Sequence, residues 1–125
     1  MKTPKWKTFY RDIKIGIPTT TVVVTLKVFI VDGGVVKLEN PPFCEGGNFK
    51  RYSFIPDGEI WIDGNIFKSQ WNAILVHELH EAAWMLFGYQ YSEAHPIAEI
   101  IETMFRQLSP TKQQAFLDKI HYEDV

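Results

Sequence analysis

The chain predicts an α+β fold: a small antiparallel sheet in the N-terminal half, packed with two or three C-terminal helices. Three observations lead there. Residues 19–63 concentrate β-branched and aromatic side chains between clusters of Gly, Pro, Asn and Asp, as short strands and turns do. Residues 70–87 then run without glycine or proline, and two further runs of helical character follow. A length of 125 residues with 46% hydrophobic and 14% aromatic content suits one globular domain, spanning 1–125.

The elements are expected as follows. Residues 1–14 are basic, and Lys5-Trp6-Lys7-Thr8-Phe9-Tyr10-Arg11 reads as an edge strand or a flexible arm. Thr19–Val31 is the densest β-branched run. Asp32-Gly33-Gly34 marks a turn, after which Val35-Val36-Lys37-Leu38 is expected to pair back as a hairpin. Asn40-Pro41-Pro42 ends it, and Gly46-Gly47-Asn48 is another break. Arg51–Ile55 and Glu59–Asp63 flank Pro56-Asp57-Gly58, whose Asp-Gly pair supplies the positive φ angles of a tight hairpin. Ser69 is the expected N-cap of the first long helix and Gly88 its stop. A second helix starts at Ser92 or, because Pro96 lacks an N–H, near His95, and runs to about Leu108. Ser109-Pro110, a cap followed by a first-turn proline, opens a third helix towards His121.

Composition removes several classes. The one cysteine, Cys44, cannot form an internal disulfide or a cysteine-rich zinc module, and its loop holds no basic neighbour to activate a thiolate. The N-terminus lacks the apolar core and cleavage site of a signal peptide, and the most apolar stretch, residues 21–31, is too short to span a bilayer. A cytoplasmic protein without membrane or nucleic-acid partners is expected. Charge is uneven: residues 1–56 hold nine Lys/Arg and four Asp/Glu, residues 57–125 four and eleven. The acidic half suits a cation, although a solvated acidic helix face produces the same count.

The chemistry is concentrated in the first long helix. Ile74, Leu75, Val76, Leu79, Ala82, Ala83, Trp84, Leu86 and Phe87 make it apolar nearly all round, as in a buried helix. Yet it carries His77, Glu78, His80 and Glu81, and buried charges need partners or a metal. At about 100° per residue, His77 and Glu81 lie within about 40° of each other and can converge on one ion. Glu78, about 100° from His77, can border that ion as a general base. A catalytic zinc takes three protein ligands. His95 is the other histidine near in sequence, and it has to reach back from the start of the next helix. Glu99 and Glu102 share its face, each as a fourth ligand or as an acceptor that fixes an imidazole tautomer.

These residues carry a resemblance. Glu59-Ile60-Trp61-Ile62-Asp63 followed by a helix with His77-Glu78-Leu79 resembles small phage and bacterial metallopeptidase-like proteins of the zincin type, which pair a β-hairpin with a helical H-E-x-x-H. More specifically, His77-Glu78-Leu79-His80-Glu81 with Tyr91-Ser92-Glu93-Ala94-His95 and Ala98 is similar to zincin-like proteins that show H-E-x-x-E followed by Y-x-x-A-H-x-x-A. The match spans residues 59–105 and leaves out the first fifty or so. It implies a zinc-dependent peptidase acting on a peptide or protein, with His77, Glu81 and His95 as ligands and Glu78 as base. Glu81 departs from the histidine of common zincins; two histidines and one carboxylate also suit Mn²⁺ or Fe²⁺. In this reading Tyr91 or His80 donates to the oxyanion, and Glu59–Asp63, as an edge strand, aligns the peptide.

Two other readings compete. Glu78-x-x-Glu81 and Glu99-x-x-Glu102 resemble the magnesium-binding pairs of all-α nucleotide pyrophosphohydrolases of the MazG type, against which stands the β-rich first half. A zincin-like fold can also serve as a catalytically inactive metal-binding or interaction module.

Overall fold

A computed structural model of the chain describes residues 4–121, with side chains to residue 119. The elements are β1 (Lys7–Gly16), β2 (Val23–Val31), α1 (Gly33–Glu39), β3 (Gly46–Asn48), β4 (Glu59–Asp63), α2 (Trp71–Phe87), α3 (Tyr91–Arg106) and α4 (Pro110–His121), with a single 3-10 turn at Lys68–Gln70 before α2. The class is α+β, as the sequence predicts, with three helices following the sheet. The sheet is mixed rather than antiparallel throughout. Its order is β1-β2-β4-β3, with β2 and β4 parallel and the outer pairings antiparallel.

Both expected hairpins after β2 are absent, and a side chain is responsible each time. Asp32 does not make a turn. Its carboxylate accepts from the N–H groups of Gly34 (3.0 Å) and Val35 (3.4 Å) and caps α1, so Val35–Leu38 coil instead of pairing back. In Arg51–Ile55 the chain leaves the sheet. Asn48 Oδ1 accepts from the N–H groups of Lys50 and Arg51, and its carbonyl accepts from Tyr52, so the backbone curls straight after β3. Gly58 does take the positive φ expected of the Asp-Gly pair (77°), but its turn delivers the chain into β4 between β2 and β3. Glu59–Asp63 is therefore an interior strand with both backbone edges used, and the edges are β1 and the three-residue β3. The basic N-terminal segment is the edge strand of its two predicted forms.

Helix ends shift for related reasons. Ser69 lies inside the 3-10 turn and caps nothing; α2 begins at Trp71 and stops at Gly88, φ 123°. Helix α3 starts neither at Ser92 nor at His95. Gln90 and Glu93 form a reciprocal capping box that opens it at Tyr91, which places His95 and Pro96 in the second turn. Ser109 Oγ accepts from the N–H of Lys112, and Pro110 follows as the first helical residue, as predicted.

The strands alternate with period two. Leu26, Val28, Ile60 and Ile62 face α2, where they pack with Ile13 and Ile15 against Leu75, Leu79, Ala82 and Ala83. Phe29, Val31 and Trp61 face the opposite side and are covered by Val36, Phe43 and Ile55. A third cluster, Ala73, Val76, Phe105 and Leu117, joins α2 to the later helices. Helix α2 is thus buried on most of its circumference. No described helix is long and apolar enough to cross a membrane.

The seam between β3 and α2 is close. A Cβ on Gly46 would stand 2.6 Å from Ile74 Cγ2 and 3.1 Å from the Trp61 carbonyl. Gly46→Ala is expected to lower unfolding stability by about 1–3 kcal/mol through overpacking. Urea denaturation of both proteins measures it, and an unchanged midpoint would show that the seam yields freely.

Candidate metal centre

Helices α2 and α3 are joined by only three residues (88–90) and lie side by side, so the C-terminal half of α2 faces the first turns of α3. His77 and Glu81 project from α2 on the i, i+4 stripe, and His95 meets them from α3. His77 Nε2 lies 3.1 Å and His95 Nδ1 2.8 Å from one oxygen, Glu81 Oε2. One ligand atom from each of the three residues lies within 4.8 Å of the others. His95 reaches Glu81 without any inward folding of Ser92–Pro96, because α3 begins earlier than its proline suggests.

The outward nitrogens are also occupied. His77 Nδ1–H donates to Glu102 Oε1 at 2.9 Å, and His95 Nε2 lies 3.0 Å from Glu99 Oε1. Arg106 in turn donates to Glu102 Oε2 at 2.8 Å and to Gln70. Glu102 thus stands as an acceptor behind His77, and Glu99 lies within ion-pair distance behind His95. Such a far-side acceptor holds an imidazole's orientation, while the near nitrogens donate to Glu81 Oε2, which can only accept.

The sequence reading missed Asn48. It is fully buried, and its Nδ2 donates to Glu78 Oε1 (2.9 Å) and to Glu81 Oε1 (3.1 Å), while Oδ1 takes the two backbone N–H groups that curl the chain. One amide therefore occupies one oxygen of each carboxylate. Glu81 Oε2 is left for the two imidazoles. Glu78 Oε2 has no protein partner among the described residues. Nothing local in Gly46-Gly47-Asn48 signals this, because the contacts span some thirty positions.

His80 belongs elsewhere. Its Nδ1–H donates to the Val76 carbonyl at 2.8 Å, its ring packs near Phe116, and it does not line the cleft, so it cannot serve as oxyanion donor there. Burial holds its pKa below the usual value. Tyr91 does line the cleft, with its ring stacked on His95 at 4.9 Å. The cleft itself measures about 300 Å³, and Glu78, Glu81, His77 and His95 are all among its walls.

Burial and charge act against each other here. Burial would lower the His77 pKa, but the carboxylates of Glu81, Glu78 and Glu102 outweigh it and raise it to about 9. Burial, reinforced by Glu81, raises Glu78 to about 7. Burial would raise Glu81 too, but its bonds to His77 and His95 hold it below the ordinary carboxylate value. In the metal-free protein a proton on His77 bridges the carboxylates. A tetrahedral zinc, with bonds of about 2.0–2.2 Å, keeps its ligands about 3.3 Å apart. The spacings of 3.1 and 2.8 Å around Glu81 Oε2 are close to that, while the three atoms together, within 4.8 Å of one another, would have to draw in around an ion; the donor set of two imidazoles and one carboxylate suits zinc.

No protein-family model matches the chain, nor does any curated protein or solved structure.

Metal-free stability follows from these shifts. The His77 contribution is complete below its unfolded value near 6.5 and is lost as pH rises through about 9. Glu78, also raised in the folded state, is least costly below about 4.5 and costs most above about 7. In chelator-treated protein, Glu78→Gln should match the wild type near pH 4.5 and exceed its stability at pH 8 by on the order of 3 kcal/mol. Denaturant unfolding at the two pH values tests this; a gap that does not change with pH would show that Glu78 is not neutralised by folding.

Proposed function

We propose that the chain is a divalent-metal hydrolase, with zinc as the ion its ligands suit best and a peptide bond as the simplest substrate. The observation that carries this reading is the wiring of the two histidines. Their near nitrogens meet at one carboxylate oxygen, and each far nitrogen has a carboxylate of its own. Metal-ligating imidazoles commonly have such a second partner, which orients the ring. His77 Nε2, Glu81 Oε2 and His95 Nδ1 would hold the ion, and the same set accepts Mn²⁺ or Fe²⁺.

A zinc ion held there supplies Lewis acidity to activate water and polarise a carbonyl. The chain's own residues do the rest. Glu78, held at Oε1 by Asn48 with Oε2 left over, would take the proton on Oε2 and return it to the leaving group. The Tyr91 hydroxyl is the remaining candidate for donating to the developing oxyanion. An extended substrate cannot pair with β4, which is interior. The strand beside the cleft with a free side is β3, since Gly46 lines the cavity.

The carboxylate-only magnesium reading draws little support. Glu102 is held by His77 and Arg106, Glu99 faces His95, and Glu78 is tied to Asn48, so the two acidic pairs do not gather around one point. The four-stranded sheet also sits poorly with an all-α enzyme. An inactive metal-binding module shares the ligands and differs only in lacking turnover.

Protein purified without chelator or affinity-tag metal is expected to contain close to one zinc per chain by elemental analysis, and a His77→Ala, Glu81→Ala double variant to contain almost none. Zinc must displace the His77 proton, so affinity should climb with pH until about 9. Metal-free wild type that takes up no zinc at pH 8 would sink the ligand assignment. Glu78→Gln should keep its metal and lose about 10²–10⁴-fold in hydrolysis. A loaded wild type that cleaves no peptide, with Glu78→Gln indistinguishable from it, would favour the inactive module.

A further inference from the structure

The walls of the cleft carry five glutamates and a single permanent cation, Arg51. The arrangement of that arginine is unusual. Its guanidinium lies 3.9 Å from the centre of the Tyr91 ring and 5.0 Å from that of Tyr52. Tyr91 stacks in turn on His95, ring centres 4.9 Å apart and 29° from parallel. Arg51 is thereby one aromatic ring removed from a metal-ligand imidazole. None of the five glutamates forms an ion pair with it, and no described residue accepts a hydrogen bond from its side chain. Aromatic faces hold a guanidinium in place while leaving its in-plane N–H groups free for another partner.

Its base is equally fixed. The backbone N–H of Arg51 bonds to Asn48 Oδ1 at 3.1 Å, on the same side chain whose Nδ2 holds Glu78 and Glu81. The backbone of Arg51 and the carboxylates of Glu78 and Glu81 therefore share one reference point, the Asn48 side chain. A surface arginine that merely offset the local negative charge would sit against a glutamate. This one is kept off all of them, beside the chemistry, with its donors unspent.

We infer that Arg51 is the docking point for a carboxylate of the substrate and fixes which bond faces Glu78. This rests on the hydrolase reading of the same cleft. Two features make such an anchor necessary. The adjoining edge strand β3 is three residues long and offers few backbone bonds for setting register. The cleft, about 300 Å³, lies at the small end of ligand sites, so it grips a short stretch of substrate. Planar bidentate pairing with a carboxylate supplies both hold and orientation. The carboxylate is either the C-terminus of a peptide or an acidic side chain beside the cleaved bond.

The test uses the full zinc-loaded chain and matched peptides. One pair differs only in a free or amidated C-terminus; a second pair, blocked at both ends, differs only in Glu or Gln next to the cleaved bond. In the wild type one acid form should be favoured about 10- to 100-fold in kcat/KM, chiefly through KM, and which pair shows it identifies the source of the carboxylate. Arg51→Gln should bring that ratio close to one, and Arg51→Lys should restore only part of it, because lysine keeps the charge and loses the planar fork. No acid preference in the wild type, or the same preference in Arg51→Gln, overturns the inference. If no peptide is cleaved, the hydrolase reading fails by itself, and a second measurement still decides the role of Arg51. N-acetyl dipeptide acid and its amide are titrated into the protein while the Arg Nε–H signals are followed by NMR. Binding of the acid alone, shifting the Arg51 signal and lost in Arg51→Gln, supports the docking role; no binding, or equal binding in the variant, overturns it.

Discussion

Glu78 and Glu81 stand three positions apart on a helix that is buried nearly all round, and the amide of Asn48 sits between them with one N–H for each. Two carboxylates so close and so far from water repel each other and lose hydration, a combination that costs several kcal/mol, roughly, without partners. The amide donates to both and carries no net charge, so it relieves the loss of hydration without cancelling the field that the imidazoles respond to. A lysine there would have offset one of the two negative charges and weakened that field. Everything else in the site is arranged around the two oxygens that the amide leaves over.

That arrangement explains a feature of the fold that is otherwise odd. Strand β3 is very short, yet it lies at the sheet edge against α2 with a glycine at the point of contact. The strand's task is to bring Asn48 under the helix, and the missing side chain at Gly46 lets it approach. The curl that follows uses the same side chain's carbonyl oxygen. Binding the carboxylates and ending the strand are one event. The sheet is held in turn by the parallel pairing of β2 with β4, which places hydrophobic residues on both faces and so fixes where β3 can lie.

Much of the site was legible in the sequence and much of the sheet was not. The i, i+4 spacing of His77 and Glu81 follows from helical geometry alone, and a run of apolar residues free of glycine and proline marks its helix. His95 was accessible as the other histidine near in sequence, although the capping pair Gln90 and Glu93 that places it was overlooked in favour of Ser92 and the proline. The sheet resisted because strand partners are chosen at long range. Val35–Leu38 has the composition of a strand, but a single aspartate cap ahead of it decided for helix. Arg51–Ile55 looked like half of a hairpin, and the bonds that bent it away came from a residue three positions earlier whose role depends on α2.

The helical hairpin α2–α3 brings together both imidazoles and Glu81 from one continuous stretch of chain, closed by a short connection at Gly88. Contacts so near in sequence incur little loop-closure entropy and form early, whereas the β2–β4 pairing bridges some thirty residues and forms late. His77, Glu81 and His95 can therefore come together on the nascent hairpin before Asn48 arrives with the sheet. Glu78 would reach its final posture only when the strand docked, so that the imidazole cluster is gathered before the buried carboxylate beside it is set in place.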